Sequence, residues 1–164
     1  MKLIIPTLEE LREAQRTGPA AWRTSGRHCD DDAAPPPVVL QRSLENIAAH
    51  PAHAAWFLPR LFWAEEPAAI VGSGRFKTTP DHADGVEIGY GIGSRHQGHG
   101  YATAGVCLMI AEAFTRPAVT RIFAMVRPDN LPSIRVLKKC GFRPDGQVPD
   151  PKDGQLLRFR LSRA

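Results

Sequence analysis

The sequence predicts one α/β domain, a mixed sheet with helices on both faces. Three observations carry that prediction. Strand-like and helix-like apolar patterns alternate through the second half of the chain. Two short apolar runs, Pro59–Glu65 and Ala68–Phe76, precede them with a tight turn at Glu66–Pro67, as in a hairpin. The length, 164 residues, suffices for one core and is short for two.

The elements follow in order. Residues 7–16 read as a helix, with Thr7 as N-cap and Glu10 three residues on, a capping-box pattern. From Thr17 to Pro37 the chain is rich in Gly, Pro and Asp and reads as a mobile loop. Gln41–Ala49 is a second helix, stopped before Pro51. After the hairpin and the turn Thr78–Gly85 comes Val86–Ile92, a strand whose Gly89 and Gly91 mark a bulge or a close backbone approach. Tyr101–Phe114 is a helix with Ala102, Val106, Met109, Ile110 and Ala113 on one face. Arg121–Val126 is a short buried strand. Leu131–Cys140 is an amphipathic helix closed by Gly141, and Leu156–Leu161 is an alternating final strand.

Composition narrows the function classes. The 43% hydrophobic share is ordinary for a globular protein, and no run approaches the roughly 20 apolar residues of a membrane span. The N-terminus carries one lysine and a brief apolar burst, which is not a signal-peptide pattern. Three widely spaced cysteines, Cys29, Cys107 and Cys140, argue against a disulfide framework and for a cytoplasmic protein. The formal charge of +4 is spread along the chain, so a nucleic-acid role rests on net charge alone. His50, His53 and Cys29-Asp30-Asp31-Asp32 complete no metal-ligand spacing and read as solvated polar residues. Cys107 and Cys140 read as buried helix residues. Trp22, Trp56 and Trp63 read as core or loop anchors ahead of acceptor-pocket walls.

The stretch Ser94–Val106, SRHQGHGYATAGV, is the sharpest signal. Small residues between a strand and a helix N-terminus leave backbone N–H groups free, and the helix dipole favours an anion there. The chain contains no Gly-Lys-Ser/Thr, so it has no Walker loop. A dinucleotide fingerprint starting at Gly98 needs glycine where Thr103 stands. What fits is Gln97-Gly98-His99-Gly100-Tyr101-Ala102, a Gln/Arg-x-x-Gly-x-Gly/Ala loop. Arg95–Gly100 offers a second register; the Gln97 register puts Tyr101 and Ala102 in the first helical turn.

With Glu87-Ile88-Gly89-Tyr90 ahead of this loop and Asn130-Leu131-Pro132-Ser133 ahead of Gly141-Phe142, the chain resembles the GNAT superfamily of acyl-CoA N-acyltransferases. The closest branch looks like the ribosomal-protein N-terminal acetyltransferases. The resemblance covers about residues 60–145. It implies a mostly antiparallel sheet with one splayed strand pair, Val86–Ile92 and Arg121–Val126, holding acetyl-CoA. It implies acceptor-side helices in residues 1–58, a cofactor-binding core in 59–145 and a closing strand in 146–164. Cofactor contacts are expected from Tyr90, Gly91, Ile92, Arg95, Gln97, Gly98, His99, Gly100, Tyr101, Ala102, Thr103 and Asn130, with no metal. Asn130 equally suits an N-cap.

Acyl transfer to an amine asks for a base, an oxyanion donor and a route for the thiolate. A thiol of pKa about 8.5 leaves easily, whereas an amine of pKa about 8 to 10.4 needs deprotonation. Glu87 is the candidate base; a structural or ammonium-binding glutamate is the alternative. The N–H near Ile92 is the expected oxyanion donor. Many relatives carry a tyrosine acid four residues before the glycine of Gly-Phe. That position is Leu137 here; the resemblance implies Ser133 as the substitute, since it matches the serine that the ribosomal-protein enzymes place near the cofactor sulfur. The expected function is transfer of acetyl from acetyl-CoA to a primary amine, on a small molecule or a protein N-terminus, in a ternary complex. The alternative is a non-catalytic acyl-CoA-binding module. Leu156–Leu161 is a candidate edge for pairing across a homodimer.

Overall fold

The computed structural model describes residues 1–164, apart from the side chains of Thr24 and Ser25. The elements are β1 (Lys2–Ile4), α1 (Leu8–Thr17), β2 (His28–Cys29), α2 (Pro37–Ala49), α3 (Ala54–Phe57), β3 (Arg60–Ala64), β4 (Ala69–Phe76), β5 (Val86–Ile92), α4 (Tyr101–Phe114), β6 (Arg121–Val126), α5 (Leu131–Lys139), β7 (Arg143–Asp150) and β8 (Gly154–Ser162). The strands form one sheet in the order β1-β3-β4-β5-β6-β8-β7, with β2 beside β4. Among the described residues only β2–β4 and β5–β6 run parallel. A parallel neighbour needs a crossover, and α4 supplies it between β5 and β6.

The helices cover opposite faces. Val106, Met109 and Ala113 of α4 are fully buried with Phe62, Phe76 and Ile88 of the sheet. Burying a Val- or Met-sized side chain contributes about 1.5–3 kcal/mol. Gly105 lets α4 lie close on β3, since a Cβ there would sit 2.5 Å from the Phe62 ring. On the other face Leu11, Ala14 and Leu40 of α1 and α2 pack with Trp22, Leu61 and Ile70. Arg60, almost fully buried, is neutralised by Glu112 of α4 through both carboxylate oxygens and also donates to Trp56 O.

Thr7 caps α1, and Glu10 returns the bond to the Thr7 N–H, completing the capping box. Helix α2 begins four residues before the predicted Gln41, because Pro37 takes the first helical position, where its missing N–H costs nothing. The 17–37 segment is not a loose loop. A 3-10 turn over Gly18–Gly26 and β2 bury Trp22 and Cys29 in the second cluster. Trp56 is core as well, stacked on Phe76 at 4.0 Å. Three strands escaped prediction, the two-residue β2 among them. β1 has three residues, and β7 (RPDGQVPD) carries two prolines, tolerated because β7 is an edge with a register shift between Pro144 and Gln147. Strand β8 therefore lies between β6 and β7, and Leu156–Leu161 is no free edge for a second copy. No helix among the described residues is long and apolar enough to cross a membrane.

Candidate active site

The parallel pair β5–β6 holds register only at Val86↔Ile122 and Glu87↔Phe123. Beyond that point the strands part, and the sheet opens into a wedge. The phase of the β4–β5 ladder determines what faces it. Lys77 N–H donates to Glu87 O, and Gly93 N–H donates to Val71 O. Hydrogen-bonded pairs alternate in an antiparallel ladder, so Glu87, Gly89, Gly91 and Gly93 bond toward β4. The main-chain groups of Tyr90 and Ile92 then point the other way, into the wedge.

The glycine loop closes one mouth of the wedge. Asp32 Oδ2 accepts the Ser94 N–H at 2.8 Å and anchors the 3-10 turn Ser94–His96. Hydrogen bonding by the Ser94 side chain, and then by this N–H, draws the Asp32 carboxyl below the usual range. His96 is buried behind the turn, its Nε2 3.2 Å from Asp30 Oδ2 but out of line for a hydrogen bond. Asp32 and Asp30 of the Cys29–Asp32 stretch, expected to be merely solvated, stand against this loop, whereas Asp31 is exposed and pairs with Arg23. Gly98 and Gly100 adopt φ of 80° and 82°, the left-handed region where a Cβ is costly. The two turns aim the chain into α4, which starts at Tyr101 with no side-chain cap. Its first backbone bond runs from Ala104 N–H to Gly100 O, leaving the amides before it free for an anion.

A cleft of about 550 Å³ runs along this loop. Of the predicted residues, Tyr90, Gly91, Ile92, Gln97, Gly98, Gly100, Tyr101, Ala102, Thr103, Asn130 and Ser133 line it. Arg95 and His99 do not. Arg95 faces solvent from the 3-10 turn, and the His99 ring folds onto Tyr101 at 5.9 Å. Sequence reasoning missed Arg135 and Lys139, which bring positive charge to the cleft from α5. Their i, i+4 spacing, which places both on one helix face, was the available signal.

Helix α5 forms the opposite wall. Asn130 Oδ1 accepts the Ser133 N–H at 3.2 Å, an N-cap that leaves its side-chain amide free to donate. Ser133 Oγ donates to the Tyr90 hydroxyl at 2.9 Å, and that hydroxyl faces Ser133 O at 3.3 Å. Burial pushes the Tyr90 phenol up to about 12. Leu137, which holds the position of the family's usual tyrosine, is buried in the core. A phenol reaches the wedge from β5 instead.

A second cavity, of about 560 Å³, opens on the other side of the wedge and is also lined by Tyr90, Asn130 and Ser133. Glu87 stands in it, with Oε1 2.6 Å from Lys77 Nζ. Cys107, expected to be buried, is exposed, its Sγ 3.6 Å from that of Cys140.

The acetyltransferase (GNAT) domain family matches residues 7–143, and the chain belongs to that family. It is similar to the "Uncharacterized N-acetyltransferase p20" of Bacillus licheniformis, 34% identical over 86 residues, which cover 52% of this chain and 48% of that protein. The chain spans about half the length of the curated relatives it matches. Among solved structures, Mycobacterium smegmatis RimJ in complex with CoA-disulfide aligns over 98% of this chain and 80% of that one, with TM-score 0.63 and 23% identity. The aminoglycoside acetyltransferase AAC(6')-Ib in complex with coenzyme A aligns over 99% and 94%, with TM-score 0.65 and 19% identity. At such identities the likeness concerns the fold, a GNAT domain with a mixed, mostly antiparallel sheet.

Proposed function

We propose that this chain transfers an acetyl group from acetyl-CoA to a primary amine in a ternary complex. One observation carries the reading: two cavities, on opposite sides of an opened parallel strand pair, share the wall Tyr90, Asn130 and Ser133. A thioester threaded from one side meets an amine arriving from the other there. The free amides between Gly98 and Thr103, with Arg135 and Lys139, suit a pyrophosphate. Acetyl-CoA supplies the activated acyl group. Asn130 has an amide left to hold the pantetheine arm, beside the exposed main chain of Tyr90 and Ile92.

The Ile92 N–H offers its hydrogen bond to the thioester oxygen as negative charge develops there. Glu87 takes the ammonium proton, directly or through water, leaving the amine lone pair to form the new C–N bond as the C–S bond breaks. The Ser133 and Tyr90 hydroxyls face the departing sulfur, with the phenol kept neutral as a donor. The three free cysteines favour a reducing compartment such as the cytoplasm.

The test is thermal unfolding with acetyl-CoA, CoA, NAD and ATP, followed by thiol release on a panel of amines. Ligand at 100 times its Kd adds about 2.7 kcal/mol of stability. The expected result is a shift with the two CoA species only, lost in Gly100→Glu. Amine-dependent thiol release is expected to fall about 100-fold or more in Glu87→Gln. No shift with either CoA species overturns the reading.

A further inference from the structure

We propose that the acceptor amine also carries a carboxylate, held by Arg75; the inference rests on the acetyl-transfer reading above. The β4–β5 register pairs Ser73 with Gly91, Arg75 with Gly89, and Lys77, by its main-chain bond, with Glu87. Directly opposed residues share a face, so these side chains stand together on the side of the sheet away from α4. A cavity of about 240 Å³ lies over them, between the sheet and the stretch from Asp32 to Val39. Gly91 leaves part of its floor bare, since a Cβ there would meet nothing within 4 Å, while the Lys77 side chain lies across Gly89. The chamber adjoins the cavity of Glu87, sharing Lys77, Gly89 and Tyr90 with it.

The charges in this chamber are unevenly matched. Lys77 is paired with Glu87 at 2.6 Å. The Asp32 carboxylate is engaged by the Ser94 N–H. Glu87, and after it Arg42 and Glu45 of α2, which lie 3.8 Å apart, act on Arg75 at longer range, the two carboxylates favouring its charge and Arg42 opposing it. Arg75 Nη1 is sealed from solvent and has no hydrogen-bond partner among the described residues. A buried guanidinium N–H without a partner is costly, and a carboxylate meets the fork geometry of the group. The neighbouring strand position offers Glu87 to the ammonium of the same molecule. The site thus fits a small zwitterionic amine, such as an amino acid. It disfavours polycations, whose extra ammonium groups would face Arg75 and Lys77.

The experiment compares common amino acids with their carboxamides, and with spermidine as a polycation, by thiol release and by thermal shift of the CoA-saturated protein. The second readout needs no turnover. The acid form is expected to beat its amide by about tenfold or more in kcat/KM and to add a thermal shift that the amide does not. Arg75→Gln should erase that preference through KM, Arg75→Lys should keep part of it, and the shift with CoA alone should survive in both. Amides or spermidine performing as well as the acids, or an unchanged preference in Arg75→Gln, overturns the proposal. If Arg75→Gln fails to fold, the acid-against-amide comparison in the wild-type protein decides. Loss of the CoA shift itself in the wild-type protein would instead strike the acetyl-transfer reading.

Discussion

Tyr90 and Ser133 lie 43 positions apart in sequence and share one hydrogen bond in the fold. Neither residue alone is an acid of useful strength. Together they place two hydroxyl groups on the wall shared by the two cavities, and burial pushes the phenol up to about 12. Tyr90→Phe removes one donor and leaves the Ser133 hydroxyl without its acceptor. We expect kcat to fall about tenfold or more while the KM for acetyl-CoA changes little, read from steady-state thiol release. The pH profile should show no alkaline limb lost with the phenol below pH 10, because Tyr90 does not titrate there. A rise in KM with kcat unchanged would place Tyr90 in ground-state binding instead. This pairing was invisible in the sequence, where Tyr90 reads as one residue of Glu-Ile-Gly-Tyr and Leu137 reads as a missing acid. Alternation along β4 was legible by contrast, since Ser73, Arg75 and Lys77 fall on one face by spacing alone.

At the scale of elements, legibility follows periodicity. Helix α4 and strands β5 and β6 lie where their apolar patterns end, because Gly100 stops the backbone before Tyr101 and both strands are short apolar runs. Strand β7 was hidden because prolines and glycine read as turn, and only its edge position permits them. The segment before α2 was misread for a related reason: composition records Gly, Pro and Asp but not that Trp22 and Cys29 reach a core. That segment also braces the glycine loop, through Asp32 and the Ser94 N–H. Asp32→Ala cuts this tie without touching the cleft, of which Asp32 is not a lining residue. Without this bond the loop is held less firmly, so the Kd for CoA is expected to rise. Isothermal titration would measure it, and an unchanged Kd would mean that the loop holds its shape through Gly98 and Gly100 alone. The same tie should loosen in acid: its carboxyl is lowered in the fold, so its contribution is present above the ordinary carboxylate range and is lost as pH falls through it.

The whole molecule has an alkaline weakness, because burial raises three acidic groups in one direction. Cys29, fully enclosed in the cluster beneath α1 and α2, is pushed from 9.0 to about 11. Tyr90 moves from 10.0 to about 12 in the wedge, and Cys140 is raised beside Cys107. Each group keeps its proton in the fold at a pH where the unfolded chain has released it. Stability contributed by these groups is therefore whole below pH 9 and declines as pH rises toward 11 and 12. Cys29 alone accounts for roughly 2–3 kcal/mol over that interval. Urea unfolding at pH 8, 9, 10 and 11 is expected to show the midpoint falling steadily above pH 9, with a shallower fall in Cys29→Ala. The thiol and the phenol pack into separate hydrophobic clusters, so their effects should add in Cys29→Ala with Tyr90→Phe. A midpoint flat to pH 11 would mean that water reaches Cys29, and that the layer of α1 and α2 opens far more readily than its packing implies.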